Sequence, residues 1–195
     1  MKKLVCFGDS NVYGYDPRSF LGGRYPADVR WTGLLQSSGW TVCNEGFNGQ
    51  EIPSSSWEQE HWRQRLAAAG EPDWVLLMLG GNDLLCNPRF TAEDVAERMR
   101  DLLSVLLPAA SRSKTRFLLI SPPPLIPGSW ITEPRLLEES ARFAPCYRQV
   151  AEELGISFAD AGEWGVKLAF DGVHFLPEGH RTFAACLERV LTTAP

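Results

Sequence analysis

The stretch KLVCFGDS, residues 3–10, decides the fold class of this chain. Its apolar part, residues 4–7, is too short for a membrane span or for the hydrophobic region of a signal peptide, and it ends in a Gly-Asp-Ser turn. A short run that is apolar on both faces and bounded by turn residues is typical of a strand buried in a parallel sheet. The segment Lys3–Phe7 is therefore predicted to be the first strand.

Four further segments have the same character, and helical patterns lie between them. The other predicted strands are Trp40–Asn44, Trp74–Leu79, Arg116–Ser121 and Ile156–Asp160. The predicted helices are Ala27–Ser38, Ser55–Ala69, Thr91–Leu107, Arg135–Leu154 and Pro177–Leu191. Pro108 is expected to stop the third helix, and Pro145 to kink or divide the fourth. This alternation predicts a three-layer α/β/α fold with a doubly wound, five-stranded parallel sheet, and residues 1–195 are predicted to form one domain.

Composition limits the classes of partner. Hydrophobic residues make up 44% of the 195 positions, charged residues make up 22%, and the net charge is -5, which is ordinary for a globular protein. No stretch gathers the lysines and arginines of a nucleic-acid track, and no run is long enough to cross a membrane, so neither partner is expected. Five cysteines without close pairs favour a reduced, cytoplasmic protein. The oligomeric state is left open, and a homo-oligomer is compatible with the sequence.

Ser10, Asp171 and His174 all follow predicted strands, and ligands bind at the carboxyl ends of the strands in such sheets. Taken alone, Ser10 fits a helix N-cap, His174 a buried structural histidine and Asp171 a turn residue. Together they indicate more, because an aspartate three residues before a histidine can accept its Nδ1–H. That contact fixes the tautomer whose Nε2 can take a serine proton. The three residues predict a serine nucleophile with an Asp–His base system.

A serine nucleophile also needs hydrogen-bond donors for the negative oxygen that develops during attack. The backbone N–H groups of Ser10 and Gly49 and the side-chain amide of Asn82 are candidates, since all three follow strands. A plain turn glycine and a loop amide bonded to its own backbone are the simpler readings of Gly49 and Asn82. Asp9 and Asp83 are expected to be structural, accepting hydrogen bonds from loop N–H groups beneath the site.

Four blocks of the sequence, taken together, resemble the GDSL, or SGNH, hydrolase superfamily. The blocks are Phe7-Gly8-Asp9-Ser10, Gly49, Gly80-Gly81-Asn82-Asp83 and Asp171-Gly172-Val173-His174. The resemblance implies a flavodoxin-like fold with Ser10 as nucleophile and Asp171 and His174 completing a catalytic triad. It also implies that Gly49 and Asn82 belong to the oxyanion hole.

At one position the sequence departs from the superfamily pattern, and a wider set of residues points to one branch of the superfamily. Asn11 stands where many members of the superfamily have leucine, and it is expected to tune the pocket. The stretch Cys6–Tyr15, with Arg30-Trp31 and Asn44-Glu45-Gly46, is similar to the bacterial arylesterase and acyltransferase branch.

The proline-rich loop Pro122–Pro134 is expected either to line an acyl or alcohol pocket or to pack as a surface connection. Three tryptophans are read as core or interface residues more readily than as ring-stacking platforms: Trp31, Trp57 and Trp62.

The resulting prediction is a serine esterase that cleaves small carboxylic esters, with short acyl groups favoured, through an acyl-enzyme intermediate. Its expected partner is a small-molecule ester. No cofactor is expected, because the first loop lacks the G-x-G-x-x-G and P-loop patterns. No metal is expected either. A metal-dependent phosphoesterase site would need several histidines and carboxylates that converge, whereas the strand ends here supply Ser and Asn where ligands should be. The ligands considered for such a site are Asp9, Asn82, Asp83, Asp171, His174 and His180. An acyltransferase using the same site is the closer alternative. A catalytically inactive binding module is disfavoured, because no triad or oxyanion residue is missing.

Overall fold

Five parallel strands lie at the centre of the computed structural model, which describes residues 2–19, 21–110 and 114–193. They are β1 (Lys3–Gly8), β2 (Thr41–Gly46), β3 (Trp74–Met78), β4 (Arg116–Ser121) and β5 (Ser157–Asp160), in the spatial order β2-β1-β3-β4-β5. The predicted fold class and all five strands are confirmed. The single domain over residues 1–195 stays a prediction, and residues 1, 20, 111–113, 194 and 195 lie outside the described part of the chain.

Helices cover both faces of the sheet. They are α1 (Ser10–Tyr13), α2 (Trp31–Ser37), α3 (Ser56–Ala68), α4 (Gly81–Cys86), α5 (Ala92–Ala109), α6 (Pro134–Ala141), α7 (Phe143–Leu154) and α8 (Pro177–Thr193), with a 3-10 turn at Ala161–Trp164. Helices α1 and α4 have no counterpart among the predicted helices, because such short segments show no helical period. Within the described segments, no helix has both the length and the apolar character that crossing a bilayer requires.

Helix ends follow local chemistry, with one error in the prediction. Ser55 and Thr91 each form a capping box with the acidic residue three positions later. Pro108 was expected to end α5, but the helix continues to Ala109. Pro108 has no N–H to donate, so the last turn loses one backbone hydrogen bond, and only Ala109 continues the helix beyond it. The segment around Pro145 is divided as predicted, but the break lies at Arg142, which leaves Pro145 in the first turn of α7, where its N–H is not needed.

Side chains of β1 alternate between two apolar cores. Leu4 and Cys6 pack on the side of α2 and α8, whereas Val5 and Phe7 pack on the side of α3, α5 and α7. This alternation follows from the two-residue period of a strand, and it explains why a strand covered on both faces reads as a continuous apolar run. All five cysteines are unpaired thiols. The two cores cover both faces of the sheet, which leaves its carboxyl edge for the loops that can form a site.

Helix α1 lies directly against the ends of β1 and β2, and two glycines make this approach possible. A Cβ at Gly8 would lie 2.1 Å from Val12 Cγ2, and a Cβ at Gly46 would lie 2.3 Å from the backbone nitrogen of Tyr13. Backbone atoms cannot rotate away as a side-chain end can, so the Gly46 contact is the stricter of the two. Gly46 therefore helps to set where α1, and with it Ser10, lies on the sheet.

Replacing Gly46 with alanine should force α1 away from β2. We expect Gly46→Ala to lower the free energy of unfolding by about 1–3 kcal/mol, the usual cost of overpacking, measured by urea unfolding. The matched control is Gly81→Ala in α4, where a Cβ meets no atom within 4 Å. The control should change stability by no more than about 1 kcal/mol, because alanine is favoured over glycine in a helix. Equal losses in the two variants would contradict this account of Gly46.

Candidate active site

Ser10 is the first residue of α1 and follows directly on the turn after β1. The Asp9 side chain caps this helix by accepting a hydrogen bond from the Asn11 N–H at 2.9 Å, so the N-cap reading of Ser10 is wrong. Gly14 ends the helix in the left-handed conformation, with φ at 89°. Because Asp9 is the cap, the Ser10 hydroxyl is left to contact another group.

That group is His174. Ser10 Oγ lies 2.9 Å from His174 Nε2, and His174 Nδ1 lies 2.7 Å from Asp171 Oδ2. All three side chains are buried. Asp171 Oδ1 also accepts hydrogen bonds from the backbone N–H groups of Val173 and His174, at 2.9 and 3.0 Å. The three residues singled out by the sequence therefore meet in one continuous hydrogen-bonded chain.

The charge state of Asp171 sets the roles of the two imidazole nitrogens. Burial acts to raise the pKa of Asp171, but hydrogen bonds from the His174 ring and from two backbone N–H groups hold that pKa below its ordinary value. An ionised carboxylate only accepts hydrogen bonds, so His174 Nδ1 carries the proton and Nε2 presents its lone pair. The Ser10 hydroxyl then donates to Nε2. In this arrangement the imidazole is ready to accept the serine proton.

The loop that carries Asp171 and His174 is held by the proline-rich segment. A Cβ at Gly128 would lie 2.4 Å from the Asp171 carbonyl carbon, which shows how closely the two backbones approach. Three backbone N–H groups of the segment donate to carbonyls of the loop: Ile126 to Gly172 at 3.1 Å, Ser129 to Phe170 at 3.0 Å and Trp130 to Asp171 at 3.2 Å. These bonds place the Trp130 ring 5.1 Å from the His174 ring, edge to face.

Gly49 and Asn82 lie at the same cavity as Ser10 and His174. Gly49 has a φ of 71°, a value that favours glycine, and its N–H donates no hydrogen bond within the described part of the chain. The Ser10 N–H belongs to the first residue of a helix and has no partner inside that helix. Asn82 donates one amide hydrogen to the Gln50 carbonyl at 3.1 Å and keeps a second hydrogen on the same nitrogen. Three donor groups therefore border the cavity beside Ser10.

An ion pair between the buried Asp83 and the partly buried Arg98 holds the loop that contains Gly49. Asp83 Oδ1 lies 3.0 Å from Arg98 Nη1, and the Asp83 carboxyl accepts the Ile52 N–H at 3.1 Å. Arg98 Nη2 donates to the Ile52 carbonyl at 2.6 Å. Burial raises the pKa of Asp83 to about 7, although Arg98 acts in the opposite direction. Asp83 thus accepts a loop N–H, as expected from the sequence, and ties the loop to α4 and α5.

The cavity beside Ser10 has a volume of about 260 Å³. Its walls include Tyr15, whose ring lies 4.5 Å from the His174 ring, and Trp130, which is 54% exposed. Trp130 belongs to the proline-rich loop, so of the two alternatives for that loop the structure favours the one in which it lines a pocket. Tyr15 and Asn48 also line it and were not singled out from the sequence. A larger cavity of about 500 Å³ lies at the start of β4 and β5, away from Ser10.

Asn11 does not line this cavity, contrary to the expectation that it tunes the pocket. Its side-chain amide instead bonds to the backbone, donating to the Val173 carbonyl at 3.1 Å and accepting the Phe175 N–H at 2.9 Å. A buried side-chain amide needs a hydrogen-bond partner for its nitrogen and another for its oxygen, and for Asn11 both partners lie next to His174 along the chain. Asn11 instead borders a separate small space of about 20 Å³, which Asn82 and Val173 also line.

Other residues considered from the sequence lie elsewhere. Trp31 and Trp62 are buried in the two cores, which confirms their core reading, whereas Trp57 is 76% exposed and stacks on His61. His180 is buried in α8, where the Trp31 N–H approaches its Nδ1 at 3.4 Å. Across residues 2–19, 21–110 and 114–193, no three His, Cys, Asp or Glu side chains are grouped so that they could hold a metal ion.

Asp9 supplies a stability prediction. Burial raises the pKa of the Asp9 carboxyl from 3.8 to about 6, although the Asn11 N–H and His174 act in the opposite direction. The folded chain therefore binds more protons than the unfolded chain between pH 4 and pH 6, so this group makes the fold less stable as pH rises through that window. The unfolding free energy of Asp9→Asn minus that of wild type should therefore increase by about 2 kcal/mol from pH 4.5 to pH 7.5.

Urea unfolding at the two pH values measures this difference. Asp83 titrates in both proteins, so its effect cancels in the comparison. Parallel stability curves for wild type and Asp9→Asn would show that the Asp9 carboxyl is ionised at low pH in the folded chain, contrary to this account.

Comparisons with known proteins bear on the same residues. A model of the GDSL-like lipase/acylhydrolase family matches residues 6–182. The structure of the native M. smegmatis aryl esterase is similar, with a TM-score of 0.86 and 28% sequence identity over 98% of this chain and 99% of that chain. Est24, a carbohydrate acetylesterase from Sinorhizobium meliloti, has a TM-score of 0.83 and 25% identity over 98% of this chain and 99% of its own.

A carbohydrate acetylesterase family member from Sinorhizobium meliloti has a TM-score of 0.82 and 28% identity, over 98% of this chain and 97% of that chain. Comparison with curated protein sequences gave no match. The family model spans most of the chain and includes Ser10, Gly49, Asn82, Asp171 and His174. The chain therefore belongs to the GDSL-like lipase/acylhydrolase family and is a carboxylic ester hydrolase.

Proposed function

We propose that the chain hydrolyses small carboxylic esters through an acyl intermediate on Ser10, with His174 as general base and Asp171 as the carboxylate that orients it. The observation that carries the proposal is the buried hydrogen-bonded chain from Asp171 Oδ2 through the His174 ring to Ser10 Oγ, with distances of 2.7 and 2.9 Å. A serine hydroxyl is a weak nucleophile until a neighbouring base takes its proton. The base lies within the distance at which a proton passes directly.

Acylation is the first half of the proposed reaction. Ser10 Oγ attacks the ester carbonyl carbon while its proton passes to His174 Nε2, and the Asp171 carboxylate stabilises the imidazolium that forms. The carbonyl oxygen becomes an oxyanion, for which Ser10 N–H, Gly49 N–H and the Asn82 amide are the proposed donors. The proton on Nε2 then goes to the alcohol oxygen as the carbon–oxygen bond breaks. The acyl group is left as an ester on Ser10.

Deacylation uses the same groups in reverse. His174 Nε2 takes a proton from a water molecule, whose oxygen attacks the acyl carbon. The second oxyanion meets the same three donors. It collapses when the bond to Ser10 Oγ breaks, and Ser10 recovers its proton from His174. Each cycle therefore consumes one ester and one water and releases one alcohol and one carboxylic acid.

The size and walls of the cavity support a short acyl group. A volume of about 260 Å³ lies below the usual range for drug-sized ligands, about 300–1,000 Å³. Tyr15 and Trp130 present aromatic rings beside His174, which suits the ring of an aryl or sugar alcohol. Similarity to an aryl esterase and to carbohydrate acetylesterases supports the same class of substrate.

Transfer of the acyl group to an alcohol is a second candidate, favoured by the aromatic walls of the cavity. An alcohol held against Tyr15 and Trp130 would compete with water for the acyl group on Ser10. Product analysis in the presence of a short added alcohol distinguishes the two outcomes, since transfer yields a new ester and hydrolysis yields the acid.

Removal of the nucleophile tests the proposed mechanism. A series of aryl esters of increasing acyl length should be turned over fastest with the shortest acyl groups. Ser10→Ala should be at least about a thousandfold slower in kcat across the series, because the covalent route is lost. The measurement is release of the aryl alcohol, with thermal unfolding as the check that the variant is folded. Comparable rates in wild type and Ser10→Ala would overturn the role of Ser10.

Removal of an oxyanion donor tests the assignment of Asn82. We expect Asn82→Ala to lower kcat by about a hundredfold to a thousandfold, the usual effect of deleting such a donor. The matched control is Asn48→Ala, since Asn48 carries an amide at the same cavity and has no proposed role in the reaction. The control should lose less than about tenfold in kcat. A larger loss in Asn48→Ala than in Asn82→Ala would show that the donor is misassigned.

A further inference from the structure

Asn11 bridges two parts of the site that are distant in sequence. Its side chain spans His174, because Nδ2 donates to the carbonyl of Val173 and Oδ1 accepts from the N–H of Phe175, the residues immediately before and after His174. The two bonds are 3.1 and 2.9 Å long and both are buried. One side chain therefore holds the backbone on either side of the histidine.

The backbone of Asn11 is itself held by hydrogen bonds to Asp9 and Trp31. Its backbone N–H donates to Asp9 Oδ1 at 2.9 Å, and its backbone carbonyl accepts the indole N–H of Trp31 at 2.9 Å. Trp31 is fully buried in the core beside α8. Asn11 thus connects that core to the histidine loop, through its backbone on one side and its side-chain amide on the other.

Few other hydrogen bonds join the segment around Ser10 to the loop that carries His174. Between residues 9–15 and residues 169–176, all of them described by the structure, three hydrogen bonds are formed. Two come from Asn11, and the third is the contact between Ser10 Oγ and His174 Nε2 itself. The histidine loop has its own internal support, since the Ala169 N–H donates to the His174 carbonyl at 2.7 Å. That support fixes the shape of the loop but not its distance from Ser10.

We propose that Asn11 is a positioning residue that sets the distance and orientation between His174 and Ser10 by holding the backbone at Val173 and Phe175. The inference rests on the proposed function of Ser10 and His174. A leucine at this position can fill the space but can neither donate to Val173 nor accept from Phe175, so the loop would be free to shift by a fraction of an ångström. Proton transfer between two heavy atoms 2.9 Å apart is sensitive to such a shift.

Two other roles for Asn11 make different predictions. A role in substrate binding would change KM, yet Asn11 does not border the cavity beside Ser10. A role in stability alone would lower the unfolding free energy without a matching loss of kcat. A positioning role predicts that kcat falls while KM is nearly unchanged, because the ground-state pocket is left intact.

The principal variant is Asn11→Leu, and Asn11→Ala is a second that removes both hydrogen bonds without adding volume. Each should lower kcat for a short-acyl aryl ester by about tenfold to a hundredfold, with KM within about threefold of wild type. Thr115→Val is the matched control, because it removes a 2.7 Å hydrogen bond to the Pro72 carbonyl at the opposite edge of the sheet. It should leave kcat within about twofold of wild type.

A double-variant cycle shows whether Asn11 acts through His174. In a His174→Ala background, which retains the slow reaction supported by the oxyanion donors and binding, Asn11→Ala should change the rate by less than about twofold. If Asn11→Ala lowers the rate by the same factor with and without His174, the effect does not pass through the histidine and the proposal is wrong.

The remaining outcomes are equally decisive. A folded Asn11→Leu or Asn11→Ala variant with the kcat of wild type overturns the positioning role, as does an effect confined to KM. If Asn11→Leu fails to fold, Asn11→Ala decides. Ser10→Ala separates this inference from the proposed function: an active Ser10→Ala overturns both, whereas an inactive Ser10→Ala with fully active Asn11 variants overturns only the role of Asn11.

Discussion

The hydrogen bond between Ser10 Oγ and His174 Nε2 joins residues that are 164 positions apart in the chain, and the site exists only where the fold brings them to 2.9 Å. Two constraints meet at this bond. The approach of α1 to β1 and β2, which Gly8 and Gly46 permit, sets the position of Ser10. Hydrogen bonds from the proline-rich segment and from Asn11 hold the 169–176 loop that carries His174. An error of an ångström in either would separate the base from the nucleophile.

Side chains that hydrogen-bond to loop backbones hold these positions. The Asp83–Arg98 pair binds both the N–H and the carbonyl of Ile52, and it thereby holds the loop that carries Gly49. The Asn11 amide does the same for the backbone on either side of His174. In each case a donor and an acceptor of a loop backbone are both satisfied, by the two side chains of the ion pair at Ile52 and by the one side chain of Asn11 beside His174, which is more restrictive than one hydrogen bond.

The sequence was informative wherever local pattern and tertiary structure agree. Short apolar runs bounded by turn residues predicted all five strands, and the ends of those strands located Ser10 and Asn82. Helices α1 and α4 were not predictable from periodicity, because they are too short to show one. Tyr15 and Asn48 enter the pocket through loop geometry, which depends on long-range packing. For Asn11, the departure from leucine was visible, but its partners at Val173 and Phe175 lie more than 160 residues away, beyond the reach of any local rule.

The central claim is that catalysis proceeds through a covalent ester on Ser10. Mass spectrometry of the protein, acid-quenched within the first turnovers of a slowly hydrolysed short-acyl aryl ester, tests it most directly. The account predicts an added mass equal to one acyl group, located by digestion on the peptide that contains Ser10. A burst of aryl alcohol without any adduct, or an adduct on another residue, would contradict it.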